Sequence, residues 1–590
     1  MTEAAAPASA EIPPAKLRQV VAASSAGTIF EWYDFFVYAV IADVLRKNFF
    51  SDAIPEAQAN VLTLLIFAAG FLVRPLGALV FGKVGDSSGR KGAFLITITI
   101  MGLATFAIGF LPTASQVGVW APILLLVCRV LQGFALGGEY GGAAIYVAEH
   151  APHKRRGGAT GWIQTSAAIG LFGALFVVLI TRATMGEGPF AAWGWRIPFL
   201  VSIGLLAVSV WIRLQLEESP AFKKLQDEGA ISKRAYHESF FQWRNAKIVL
   251  LALFGIMMAQ GVVWYTASFY TQFFLQQTLK VDSATVNLLM IAMVAISAPL
   301  YLVFASLSDR LGRKPVMLFG MLLMLALYFP GFDYITRSAN PPLARASAAS
   351  PAVVTADPAD CSFQLDLTGG AHQFSSSCDI ARGALAAAGV SYTTEAGPAD
   401  APARVRVGTR EIEAPSAEGG STAEIRAARG GFADRLHIIL GEAGYPTRVV
   451  DRLNCTPDPA EPEKCRQTVM AAPGPMQGWT VAEVMRVFRE KAGVFAIMIL
   501  FVIAATALYG PQAAALVELF PTRIRYTAMS LPYHIGTGWF GGLLPAIVFA
   551  INTATGQINA GLWFPFVVTA IAATVCFLFL PETKDRDIHA

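Results

Sequence analysis

Ionisable side chains inside strongly apolar runs are the residues of this chain most able to do chemistry. Glu31 and Asp34 stand three residues apart in Phe-Glu-Trp-Tyr-Asp-Phe, and Arg129, Gln132 and Glu139 share a second run, with Arg74 in a third. Each such charge costs at least ~2.5 kcal/mol at the centre of a bilayer unless it faces a partner or a water-filled cavity. A carboxylate held there can take and release a proton, and a guanidinium offers a two-pronged grip on a carboxylate. Asp34 is expected to be the main proton site, shared with Glu31 and Glu139. Arg129 and Gln132, three residues apart and therefore on one helical face, are expected to hold solute. Arg74, Tyr33, Gln260 and Tyr265 are further candidates for solute contact. Two readings stay open for Arg129: a solute clamp, or an ion pair with Glu31 or Asp34 that solute or proton breaks.

The elements that must position these residues follow from composition. Of 590 residues, 55% are hydrophobic and 15% charged, well below the roughly one quarter charged in soluble domains. An ordinary soluble enzyme is thereby excluded, and a net charge of +4 is too slight to argue for a nucleic-acid partner. Apolar runs fall near 19–45, 60–81, 93–111, 121–148, 158–181 and 194–215, then 247–276, 284–305 and 315–333, and finally 491–513, 527–551 and 560–580. This predicts an all-α membrane protein of twelve spans in two six-helix halves, since about 20 apolar residues cross the hydrocarbon core. The chain divides into a disordered tail at 1–18, a first half at 19–216, a linker at 217–246, three spans at 247–334, an insert at 335–485, three spans at 486–581 and a tail at 582–590. Lys83, Arg90, Lys91, Lys154, Arg155, Arg156, Lys223, Lys224, Lys233 and Arg234 cluster in alternate loops, which predicts an inner-membrane orientation with both termini cytoplasmic. The insert then lies outside the cell.

Cysteine placement agrees with that topology. Cys128 and Cys576 lie within spans, whereas Cys361, Cys378, Cys455 and Cys465 all fall in the insert, an even number on the oxidising side. Three pairings are possible; the local ones, Cys361 with Cys378 and Cys455 with Cys465, are favoured. Strand-like runs at 362–368, 405–408 and 447–453 alternate with helix-like runs at 379–388 and 431–443, each helix closed by a glycine. A small disulfide-containing α/β insert results, with its purpose open.

Two loop motifs occur twice. After the second span, Asp86 is followed by Gly89, Arg90 and Lys91; after the eighth, Asp309 is followed by Gly312, Arg313 and Lys314. After the fourth span, Glu149 precedes Pro152 and Arg156; after the tenth, Glu518 precedes Pro521 and Arg525 with the same spacing. The Glu149–Glu518 separation exceeds the Asp86–Asp309 separation by about 146 residues, which places an insertion between the eighth and tenth spans of a duplicated unit.

These Asp-x-x-Gly-Arg-Lys loops, the doubled halves and the Pro581-Glu582-Thr583 ending resemble the major facilitator superfamily. Glu31 to Phe35, Arg129 with Gln132 and Gly133, Glu139, Glu218-Ser219-Pro220 and the Glu518 to Tyr526 segment are similar to its metabolite:proton symporter family. The resemblance covers the spans and leaves the insert outside. It implies alternating access around a midplane site, with Asp86, Arg90, Asp309, Arg313, Glu149, Arg156, Glu518 and Arg525 forming pairs that close the cytoplasmic gate. It also implies a proton-coupled symporter of small organic solutes. Cavity arginines make a carboxylate the expected solute; a zwitterion such as proline or betaine is the alternative, and a receptor using the insert a more distant one. No phosphate-cradling Gly-rich loop and no zinc-like Cys/His spacing occurs in the sequence. Neither catalysis nor a cofactor or metal is therefore expected, and the expected partners are the solute, protons and the lipid bilayer, with no obligate protein partner.

Overall fold

The computed structural model describes residues 14–50, 56–215, 217–363, 374–446 and 480–588. Among these, ten helices are long and apolar enough to cross a membrane. Two more long helices, α1 (Pro14–Val40) and α2 (Glu56–Ser88), stand where the first two spans were expected. The rest of the first half is α3 (Arg90–Ile108), α4 (Trp120–His150), α5 (Arg156–Met185) and α6 (Arg196–Leu214). The second half holds α7 (Trp243–Thr278), α8 (Ser283–Leu311), α9 (Arg313–Ala339), α10 (Ala492–Leu519), α11 (Thr522–Thr555) and α12 (Ala560–Phe579).

Small residues let these helices approach closely, because lipid-embedded helices associate through packing and not through a hydrophobic drive. At Gly133 of α4 a Cβ would lie 2.1 Å from the carbonyl oxygen of Gly70 on α2, so only glycine fits this crossing. The core facing the candidate site is not regular α-helix. α7 carries π-helical turns at Leu253–Met257, Thr266–Tyr270 and Phe274–Thr278, and α11 carries one at Ile535–Gly541. Such turns widen the helix locally and are frequent at functional sites. Here they bracket Gln260 and Tyr265 and follow directly on His534.

The insert is an α/β unit, as expected. Its four-stranded sheet has the order β2-β1-β3-β4, from β1 (Ala352–Ala356), β2 (Tyr392–Ala396), β3 (Arg404–Val407) and β4 (Arg410–Glu413). β1 runs parallel to β2 and antiparallel to β3, with Val354 opposite Val405. In β3 the alternation Arg-Val-Arg-Val turns Val405 and Val407 into the core, where Leu385, Phe432 and Leu436 cover them from helices Ser377–Ala387 and Thr422–Glu442. Only β3 coincides with an expected strand. Residues 447–453 and most of 362–368 lie outside the described residues, and the strands at 352, 392 and 410 were hidden in Ala-rich or charged sequence. Cys361 and Cys378 form a disulfide; Cys455 and Cys465 lie outside the described residues. The insert rests on the second half: Tyr392 donates its backbone N–H to the Gly556 carbonyl at 2.7 Å and its hydroxyl to that of Thr553.

Candidate functional site

The buried charges sort into two networks in the first half and a ring at the loop end of the bundle. In the first network Arg213, from the last turn of α6, reaches Glu31 of α1 at 3.2 Å and Glu139 of α4 at 2.7 Å through the same Nη2. Thr97 of α3 donates to the other oxygen of Glu139 at 3.0 Å, and the Arg213 guanidinium lies 3.4 Å from the Phe94 ring centroid. Two carboxylates thus share one cation inside the bundle. Glu31, one of the two partners considered for Arg129, is paired instead with Arg213, a residue sequence reasoning missed. It lies at the end of its span, where a cation ordinarily marks the interface.

Arg129 anchors the second network. Its Nη1 donates to Gln132 at 2.7 Å, and Gln132 donates to the Thr105 hydroxyl at 2.7 Å. Asp34 lies beside Thr105, with its Oδ1 buried and without a hydrogen-bond partner. The Arg129 guanidinium stands over Tyr38 and Phe35, at 4.3 and 4.9 Å. Tyr33 is not brought to this network: its hydroxyl is committed to the Pro198 carbonyl at 2.8 Å.

Between the halves lies Arg74. It is 4% exposed, its Nε and Nη2 have no hydrogen-bond partner among the described residues, and its guanidinium sits 4.3 Å over Phe71 and 4.7 Å over Phe35. Tyr265, Tyr509 and Tyr533 from the second half lie close enough to act on it electrostatically. Their hydroxyls and rings form a connected wall. Tyr509 and Tyr533 share a hydrogen bond of 2.9 Å, Tyr533 stacks at 3.7 Å on Tyr140 of the first half, and the Tyr140 hydroxyl accepts from Gln164 and Gln512. Gln260, on α7 five residues before Tyr265, is buried with its Oε1 without a hydrogen-bond partner among the described residues, and His534 is buried near Arg74 and the Gly137 backbone. Sequence reasoning singled out Arg74, Gln260 and Tyr265. It did not find Tyr140 or Tyr509, because an uncharged aromatic in a span resembles ordinary core.

All eight gating candidates meet at the loop end, in a pattern doubled across the halves. Asp86 pairs with Arg90 at 2.5 Å and accepts the backbone N–H groups of Tyr526 and Thr527, at the start of α11. Asp309 pairs with Arg313 at 2.8 Å and accepts those of Gly157 and Gly158, at the start of α5. Each aspartate therefore caps a helix N-terminus of the opposite half, where the helix dipole favours an anion. The Glu/Arg motifs pair crosswise: Arg156 with Glu518 at 2.9 Å and Arg525 with Glu149 at 2.7 Å. Glu518 also accepts from Arg313 at 3.1 Å and from the Thr583 hydroxyl at 2.7 Å.

A third doubled contact was not anticipated. Glu218 accepts the backbone N–H groups of Arg90 and Lys91, and Glu582 those of Arg313 and Lys314. The intervening Gly89 and Gly312 both have φ of 109°, and a Cβ on either would meet the glutamate oxygen at 2.4 Å. The terminal segment continues the closure. The Ile588 carbonyl accepts from Arg525 at 3.0 Å and from Thr522 at 2.8 Å.

Comparison with known proteins places this architecture. The family model for sugar (and other) transporters matches residues 19–236 and 469–590. The proline/betaine transporter of Escherichia coli K12 is 38% identical over 332 residues, covering 54% of this chain and 65% of the relative. The glycine betaine/proline/ectoine/pipecolic acid transporter OusA of Dickeya dadantii is 36% identical, with the same coverage of 54% and 65%. The matched region thus spans just under two thirds of these relatives' length. Among solved structures, a double-Trp mutant of XylE superposes with a TM-score of 0.61 at 14% identity, covering 98% of both chains. The proton:xylose symporter XylE bound to 6-bromo-6-deoxy-D-glucose gives 0.58 at 15%, again with 98% of each chain. These structural likenesses concern the fold alone. The family match covers more than half of the chain and takes in three of the four doubled loop motifs, so the chain belongs to the sugar (and other) transporter family within the major facilitator superfamily, and is a multi-pass membrane transporter and not an enzyme.

Proposed function

We propose that this chain is a proton-coupled secondary symporter that imports a small zwitterionic solute of the proline or betaine class across the inner membrane. Its two six-helix halves, twelve spans in all, alternate access around Arg74, with the gate ring and both termini on the cytoplasmic side and the insert outside. The observation that carries this reading is Arg74, a buried guanidinium with unengaged donors facing a wall of tyrosines from the opposite half. Arg74 suits the solute's carboxylate. The faces of Tyr265, Tyr509, Tyr533 and Tyr140 suit its cationic end, since a desolvated ammonium over an aromatic ring gains about 2 kcal/mol. A simple carboxylate would use the arginine and leave that wall idle, and the named relatives of the chain carry proline and betaine in their descriptions.

The coupling proton sits on the first half. Glu31 and Glu139 divide one cation, Arg213, so the trio has a surplus negative charge that a proton on Glu31 cancels. Asp34, linked through Thr105 and Gln132 to Arg129, is the second proton-accepting carboxylate. No bound cofactor enters this cycle; the driving force is the proton gradient. The test is external pH in lightly buffered proteoliposomes as proline, betaine and a set of carboxylates are added one at a time. Alkalinisation with proline or betaine, weakened at least tenfold in apparent affinity by Arg74→Lys, is expected. A response to carboxylates alone would return the organic-acid reading, and silence across the set would overturn symport.

A further inference from the structure

Away from the tyrosine wall, a groove of about 820 Å³ runs along the outside of the bundle between α1, α5 and α8. Its mouth carries Arg18, Lys154, Arg155 and Arg310, all exposed. Among the described residues none of these four side chains makes a hydrogen bond or ion pair. The one carboxylate on the groove wall, Asp309, is already satisfied by Arg313 and by the Gly157 and Gly158 N–H groups. The mouth therefore presents four uncompensated positive charges.

Behind the mouth the groove turns apolar. On α1 its wall runs from Leu17 through Val21 to Ile29, twelve helical steps, or about 18 Å at 1.5 Å per residue. That matches the ~15 Å depth of one hydrocarbon leaflet. On α5 the wall is Trp162 and Ile169, 46% and 40% exposed, so the groove opens sideways toward lipid. A basic mouth over an apolar trough of leaflet depth fits an anionic headgroup with acyl chains attached. A free anion would not use the trough, and a neutral lipid would not use the mouth.

We propose that this groove is a binding site for an anionic diacyl phospholipid drawn from the leaflet on the gate-loop side. Lys154 and Arg155 belong to the first half and Arg310 to the second, so one phosphodiester held among them bridges the halves while the gate ring is closed. Separation of the halves pulls Arg310 away from the other two, and the bound lipid therefore favours the closed ring. Lipid retention does not depend on the solute, so this proposal and the transport reading fail separately.

The test is lipid retention by the purified full chain in detergent, read by native mass spectrometry during titration with phosphatidylglycerol, phosphatidylcholine or inorganic phosphate. Phosphatidylglycerol is expected to bind at least tenfold more tightly than phosphatidylcholine, and the Lys154→Gln/Arg155→Gln/Arg310→Gln variant to lose that preference. Ala26→Phe narrows the apolar trough with every cation intact and is expected to weaken phosphatidylglycerol retention on its own, which keeps the test decisive if the triple variant misfolds. Equal retention of the two lipids, unchanged retention in a folded variant, or displacement of phosphatidylglycerol by equimolar inorganic phosphate would each overturn the site.

Discussion

Replacement of Glu518 by Gln tests whether the ring at the loop end holds the halves together. Glu518 is 2% exposed and is the one carboxylate in the ring that bonds Arg156 of the first half, Arg313 of the second and Thr583 of the terminal segment. With the charge removed, Arg313 keeps the Asp309 carboxylate at 2.8 Å, but among the described residues Arg156 is left with no carboxylate, only the neutral amide oxygen at 518 and the Arg586 carbonyl at 3.4 Å. Removing one partner of a buried ion pair costs about 3–5 kcal/mol. In the open state Arg156 is hydrated and the cost vanishes, so the closed-to-open ratio falls by at least about 150-fold at roughly 1.4 kcal/mol per decade. The assay is the rate at which an impermeant maleimide labels a Ser530→Cys reporter, with the unpaired cysteines replaced by Ser. Ser530 is fully buried against Gly141 just inside the ring. The reporter should be nearly inert in the parent and label at least about 150-fold faster with Glu518→Gln, from the loop side alone. An unchanged rate would refute the claim that this ring is the gate. Glu149→Gln should act in the same direction but less strongly, because Arg525 retains the carbonyls of Phe520 and Ile588.

Three further outcomes follow from the geometry. Glu31→Gln should abolish proton-driven accumulation while sparing counterflow exchange, since Arg213 keeps Glu139 at 2.7 Å; accumulation at the parental level would remove Glu31 from the coupling site, and Asp34→Asn applies the same test to Asp34. Gly312→Ala forces a side chain into φ 109° and against Glu582, which should cost about 1–3 kcal/mol and lower the melting temperature in detergent; an unchanged melting temperature would show that the turn tolerates a Cβ. Replacing Cys361 by Ser opens a 17-residue separation to Cys378, which should destabilise the insert by about 3 kcal/mol and speed its proteolysis while the membrane helices stay protected; equal proteolysis would show that the bond contributes little.

Hydropathy made most of the helical frame legible, because a charge-free run of about 20 residues has few other uses. The residues of the loop-end ring were legible too, since their spacing recurs, although the crosswise pairing of Arg156 with Glu518 and Arg525 with Glu149 was not, because it depends on how the halves face each other. The Arg213 link between Glu31 and Glu139 joins three helices and leaves no local trace in the sequence. Tyr140 and Tyr509 escaped notice for the opposite reason: their burial costs little, so nothing in composition separates them from ordinary packing. The insert strands were obscured by brevity, at four or five residues each.

The contacts of Tyr392 with Gly556 and Thr553 weld the insert to the end of α11, while Gly389 abuts Thr278 at the end of α7. These anchor points all belong to one half of the transporter, so the insert is a rigid outrigger on that half. Any rocking of that half is carried into the sheet. A fluorophore or antibody fragment fixed there would give small membrane-embedded motions a visible handle and image alignment a feature that breaks the pseudo-symmetry of the two bundles.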